Sequence, residues 1–288
     1  MDSQEFKEEL INYITSSYNV FCGYQAITRG ILIELDRICQ IGGINYYLAY
    51  GTLLGAVRDK CQIPWDYDID TFVKIDDKVA LLQLLEKELG NDYYYEFSSN
   101  SKTYPTSCLR VCRKGFSMMA LHVDVFFLVG TPNDERERKR FIKKTERCLD
   151  LRTAKYLNYY LNNNKEMTFI HKCYRSIVQA LYHLIPDTYL RHLEKQVEYK
   201  YPLKDSEYWF SMQRVYSKLY PRRIFDEVIR IPVEDFYFSI PSGYEEFLSI
   251  NYRNWQSYLP IKNRFEEFYN MKNVVEERQE SYINNKKR

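Results

Sequence analysis

The chain has 288 residues, 45% of them hydrophobic, which suffices for one large domain or for a domain with an attached helical part. Its 41 Lys and Arg against 39 Asp and Glu leave a net charge of +2, which excludes the basic footprint of a nucleic-acid-binding protein and, with it, a polymerase. Cys22, Cys39, Cys61, Cys108, Cys112, Cys148 and Cys173 form no C-x-x-C pair and have no histidine at ligand spacing, so reduced thiols in a cytoplasmic protein are expected rather than a disulfide framework or a zinc site.

The acidic, amphipathic start MDSQEFKEELINYI lacks the basic flank and apolar core of a secretory signal. Residues 3–22 predict one helix and Tyr24 to Ile41 a second, with Ile27, Ile31, Leu35 and Ile38 on one stripe and Gly42-Gly43 as its C-cap. Tyr46 to Tyr50 is a short apolar run ending in the Gly51-Thr52 turn, and Leu53 to Val57 predicts one or two helical turns. After the Ile63-Pro64-Trp65 corner, Asp66, Asp68 and Asp70 alternate with Tyr67, Ile69 and Thr71. In a strand these three carboxylates share one face, which repels itself unless a cation sits on it.

Asp76-Asp77 caps a predicted helix from Lys78 to Leu89, with Val79, Leu82, Leu85 and Leu89 on its stripe. Strands follow over Tyr93 to Phe97, Ser107 to Arg113 and Leu121 to Val129. The dense charge run after Asn133 reads as the solvated face of a helix reaching Tyr160. Residues 166–220 continue as helices broken near Pro186, Pro202 and Pro221. Within them Phe169 to Ile185 is interrupted by His171, Lys172, Arg175, Gln179 and His183, so it reads as an amphipathic buried helix and not as a membrane span, with peripheral contact to a membrane-borne acceptor left open. Apolar alternation returns over Arg222 to Ile240, Pro241-Ser242-Gly243 introduces a short helix to Tyr252, and Arg264 to Arg288 is a polar, helical tail. The whole predicts an α+β fold, a mixed sheet flanked by helices with an added helical subdomain.

Asp68 and Asp70 suit Mg²⁺ or Mn²⁺, hard cations that prefer carboxylate and phosphate oxygens, with Asp66 beside them. Asp124, the single acid in the apolar run Ala120 to Phe126, is the candidate for a third carboxylate. Gly51, Thr52 and Gly55 offer backbone N–H groups to a phosphate, Arg58 and Arg110 offer cationic contacts to the same anion, and Trp65 offers a stacking platform to the donor's base. Each has a plainer reading. Acidic triplets occur in exposed turns and calcium loops, the glycines can allow close packing, Arg58 can pair with Asp59 or Glu34, Trp65 can be a corner residue, and Arg110 can face water.

The ordered combination resembles the nucleotidyltransferase fold. More narrowly, Gly51-Thr52-Leu53-Leu54-Gly55-Ala56-Val57-Arg58 followed by Ile63-Pro64-Trp65-Asp66-Tyr67-Asp68-Ile69-Asp70 resembles the LicD family, bacterial phosphocholine transferases related to fukutin. The resemblance covers residues 24–130 best, and Tyr252-Arg253-Asn254-Trp255 with Leu259-Pro260 looks like the family's closing motif. Together with the element pattern it implies a catalytic core over 1–130, a helical subdomain over 131–221 whose helices match the family only in general character, and a segment over 222–288 that packs back on the core. It also implies that Asp68 and Asp70 bind metal, that Asp124 completes the site, and that Gly51 and Thr52 meet the donor phosphates. Tyr67, Asp59 and Cys61 depart from the family's usual Asp, His and Gly. The implied reaction moves a phospho-alcohol from a CDP-activated donor to a sugar hydroxyl of a glycan or glycolipid, releasing CMP, at the inner face of the membrane. Two alternatives keep the fold: an NTP-dependent nucleotidyltransferase, and a non-catalytic binding protein.

Overall fold

The structure is a computed structural model that describes residues 3–101, 104, 106–116, 121–160, 177, 180–212, 218–260 and 263–264. One helix, α1 (Ser3–Gly42), replaces the two expected. Gly23 does not break it: a glycine inside a helix costs about 1 kcal/mol, which tertiary packing further along the helix overrides. Ile31, Leu35 and Ile38 supply that packing, and Gly43, at φ +62°, ends the helix.

The strands β1 (Tyr46–Leu48), β2 (Ile69–Lys74), β3 (Tyr93–Glu96), β4 (Leu109–Arg113) and β5 (His122–Gly130) form a mixed sheet in the order β1-β2-β5-β4-β3. Only β2 and β5 run parallel, joined through α3 (Lys78–Glu88) and the β3-β4 hairpin. On α3 the inward residues are Leu81 and Leu85, while Val79, expected on the buried stripe, is 57% exposed. With 3.6 residues per turn, Val79, two positions before Leu81, falls on the side of the helix turned away from it.

Two segments correct the helical expectation. Tyr208–Ser211 and Leu219–Pro221 are strands β6 and β7, and β6 pairs with Leu128 to Gly130 of β5. The reason is an open edge: β4 covers β5 only from His122 to Val125, leaving backbone groups beyond it that the aromatic run Tyr208-Trp209-Phe210 satisfies. The charged segment does form a helix, α4 (Glu135–Tyr160), against which α5 (Asp187–Glu198) packs. Most of the Phe169–Ile185 segment lies outside the described residues, and its described members Ile177, Leu181 and Leu184 are exposed, not buried. A hairpin, β8 (Val228–Val233) and β9 (Phe236–Pro241), and a short helix, α6 (Tyr244–Asn251), complete the order. The predicted tail helix lies, beyond Arg264, outside the described residues.

The two faces of the sheet differ. Ile69, Thr71, Val73, Val123, Val125 and Phe127 are buried on one face, where α1 lies against the strands. The other face alternates Asp70 with Phe72 and Asp124 with Phe126, so one strand period delivers an acid and then an aromatic ring. Phe72 meets Tyr220, Phe225 and Phe247 at centroid distances of 6.0, 6.2 and 5.7 Å, and this aromatic cluster floors the site.

Candidate active site

The register of three strands sets the row at the centre of the site. Asp70 pairs with Asp124 across the parallel β2-β5 ladder, and Arg110 pairs with Asp124 across the antiparallel β4-β5 ladder. Paired residues share a face, so acid, acid and guanidinium lie side by side. Asp66 and Asp68 reach the same group from the segment that leads into β2, since the strand itself starts at Ile69 and not at Asp66 as expected. The lead-in is held by carbonyl contacts: Gln25 Nε2 donates to Ile63 O and Asp66 O, both at 2.8 Å, and Gln62 Nε2 donates to Asp66 O and Asp68 O at 3.3 and 3.2 Å.

The glycine motif supports these acids directly. The chain leaves β1 at Ala49 and turns at Tyr50, whose φ of +44° is left-handed, a strain of about 1–3 kcal/mol for a residue other than glycine. Tyr50 is held there by Phe72 and Phe247 at 5.2 and 5.9 Å and by a 2.9 Å hydrogen bond between its hydroxyl and Ser211 Oγ. Helix α2 (Tyr50–Leu54) starts at once, so Gly51 and Thr52 lie in its first turn and not before it. Thr52 Oγ1 accepts the Asp70 N–H at 2.9 Å. A Cβ on Gly51 would stand 2.7 Å from Asp66 Oδ2, so the missing side chain is what admits that carboxylate. Gly55 has a packing role: a Cβ there would meet Cys61 O at 2.6 Å.

Two expected contacts are drawn elsewhere. Arg58 lies in the π-helical turn Gly55–Asp59, where Nε and Nη2 donate to Asp59 Oδ1 and Oδ2 at 2.9 and 2.8 Å, and the Tyr258 ring stacks on its guanidinium at 4.5 Å. Its fork is therefore filled by the residue that departs from the family pattern. Trp65 is half-buried against the apolar core, as a corner residue would be.

Arg110 Nε donates to Asp124 Oδ1 at 2.7 Å, His122 Nε2 lies 3.5 Å from Oδ2, and the Cys108 thiol donates to Oδ1 at 3.7 Å. Burial by itself would raise the Asp124 carboxyl, but Arg110 and His122 overcome it and hold the group well below the ordinary carboxylate range. Burial pushes the Cys108 thiol up to about 12, so it is a neutral donor and not a nucleophile. Asp66 and Asp70 go the other way: burial first, and then the charge of Asp68, raise both well above their ordinary value, with Asp124 adding to the shift at Asp70. Tyr252, at the end of α6, has its phenol raised by burial and then by Asp66 and Asp70, which sets it beside the acid group. Sequence reasoning gave no site role to Tyr252, Gln25 or Gln62. Tyr252 had a usable signal in the closing motif, whereas nothing marks one glutamine of a long helix.

A group of half-buried acids short of positive charge fits a hard dication, and Asp66, Asp68 and Asp70 are the residues that would hold it. Among the described residues no three side chains already stand gathered as a ligating set, and the oxygens of Asp124 are engaged by Arg110 and His122.

Residues 43–169 match the family described as LicD/FKTN/FKRP, nucleotidyltransferase domain. The chain is 27% identical over 255 residues to the lipopolysaccharide cholinephosphotransferase LicD of Haemophilus influenzae, covering 83% of this chain and 92% of that protein. It is 39% identical over 54 residues to the ribitol 5-phosphate transferase FKRP of Homo sapiens, a match that spans only 11% of that protein. The glycine turn, the acid group and the Asp70–Asp124–Arg110 row all fall within the segment that resembles the LicD/FKTN/FKRP nucleotidyltransferase domain.

Proposed function

We propose that the protein is a metal-dependent phosphotransferase that moves a phospho-alcohol from a CDP-activated donor to a sugar hydroxyl of a glycan or glycolipid, releasing CMP. The observation that carries the reading is the cluster of Asp66, Asp68 and Asp70 against Gly51, in a domain whose relatives are named for transferring cholinephosphate and ribitol 5-phosphate.

Phosphoryl transfer needs neutralised charge and in-line placement more than covalent help. Mg²⁺ or Mn²⁺, when bound, would supply the charge that draws the diphosphate in and eases departure of CMP. The chain's own part is to fix the acids. Thr52 holds the Asp70 backbone, Gln25 and Gln62 hold the carbonyls of the Asp66–Asp68 segment, and the absent side chain of Gly51 lets Asp66 approach. Asp124, kept ionised by Arg110, is a poor proton acceptor. In this reading it aims the guanidinium toward the donor phosphate and does not act as a general base. Tyr252 presents its phenol to the same charge.

Phosphorus NMR on the purified protein with Mg²⁺, offered CDP-choline, CDP-ribitol, CDP-glycerol and the four nucleoside triphosphates, tests this. Metal-dependent CMP release from one CDP-alcohol is expected. Pyrophosphate release from a triphosphate would replace the reading with nucleotidyl transfer.

A further inference from the structure

The helical layer sorts its side chains by side. In α5 the acids are turned inward onto cations: Asp187 meets Lys155, Glu194 meets Arg152, and Glu198 meets Lys78. The basic side chains Arg191 and Lys195 of the same helix are exposed. What α5 shows to solvent is thus positive, although its composition is mixed.

Just ahead of it stand large apolar side chains that nothing among the described residues covers. Ile177, Leu181 and Leu184 are 63, 60 and 77% exposed, and Tyr189, in the first turn of α5, is 52% exposed. The first three follow the spacing i, i+4, i+7 of one helical stripe. Scattered exposed leucines need no explanation, but a run of them leading directly into a helix whose exposed charges are basic does.

We propose that Ile177, Leu181, Leu184 and Tyr189, with Arg191 and Lys195, dock the protein on an anionic lipid bilayer. The chemistry is complementary on both counts: anionic headgroups attract the cations, and the boundary with the acyl chains takes aliphatic and tyrosine side chains. The contact is peripheral, since no helix among the described residues is long and apolar enough to cross a membrane. The layer is also tied to the site. Arg152 Nη1 donates to Tyr104 O at 3.3 Å, Tyr104 Oη lies 3.7 Å from Cys108 Sγ, and Cys108 Sγ lies 3.7 Å from Asp124 Oδ1. The inference rests on the phosphotransferase reading for its purpose, which is delivery to a lipid-borne acceptor, and its measurement needs no donor.

The test is flotation of the full chain with vesicles of phosphatidylglycerol and phosphatidylcholine, and with phosphatidylcholine alone. The expected result is partition onto the anionic vesicles that weakens with salt, and that drops roughly tenfold or more in the L181E/L184E double variant. Its melting temperature and its CMP release from a soluble donor should match the parent. Failure of the parent to float, or equal flotation of the variant, overturns the proposal while leaving the phosphotransferase reading in place. Loss of self-association in sedimentation velocity, with vesicle binding unaltered, would likewise overturn it and assign the face to contact between copies. Vesicle binding without CMP release from any donor would leave the docking standing and remove the catalytic reading.

Discussion

Gly51 and Asp66 are in direct contact: a Cβ on the glycine would stand 2.7 Å from the carboxylate Oδ2. The position therefore decides where that oxygen can sit. Gly51→Ala should leave the fold intact, since no left-handed φ is required there, but weaken Mn²⁺ binding and cut turnover roughly tenfold to a hundredfold as the carboxylate is displaced. Mn²⁺ titration followed by electron paramagnetic resonance checks it; unchanged affinity would show that Asp66 has no part in holding the ion.

Thr52 and Asp70 form the second such pair. Thr52→Val removes the acceptor of the Asp70 N–H while keeping the shape, and should cost about 1–3 kcal/mol in urea unfolding. Thr52→Ser keeps the oxygen and should retain activity.

The raised acids fix the sign of the pH dependence of the metal-free protein. Asp66 and Asp70 lie above their ordinary value of 3.8 in the folded chain, so in that window the folded state binds more protons and stability falls as pH rises. Asp124 is lowered, so its contribution is present above 3.8 and is lost only in more acid solution. The metal-free protein should therefore melt at a higher temperature near pH 5 than near pH 8, and Mg²⁺ should raise the melting temperature more at pH 8. Scanning calorimetry with and without a chelator reads both effects.

Arg152 and Glu194 form a buried ion pair that also binds Tyr104 O. Arg152→Ala should destabilise the chain by about 3–5 kcal/mol, because it strands the Glu194 charge, whereas R152M/E194L should recover most of that loss.

Much of the site can be read in the sequence because it is local. The glycine turn, the Asp66–Asp70 alternation and the lone acid Asp124 lie in two short stretches whose period and chemistry speak for themselves. What the sequence hides is pairing. That Arg110 faces Asp124 follows from strand register, and that Arg58 turns to Asp59 follows from a π-helical turn, neither of which composition announces. The strand at Tyr208–Ser211 was hidden for a similar reason, since it depends on the edge that β4 leaves open on β5. The exposure of Leu181 and Leu184 was missed because an amphipathic period says that one face is apolar and not what covers it.

The central claim is that the acid group performs metal-dependent transfer, and the most direct test is CMP release by Asp68→Asn and Asp70→Asn. The account predicts that both variants melt as the parent does or higher, bind Mn²⁺ more weakly, and release no CMP from the CDP-alcohol that the parent consumes. Full release by either variant would contradict it.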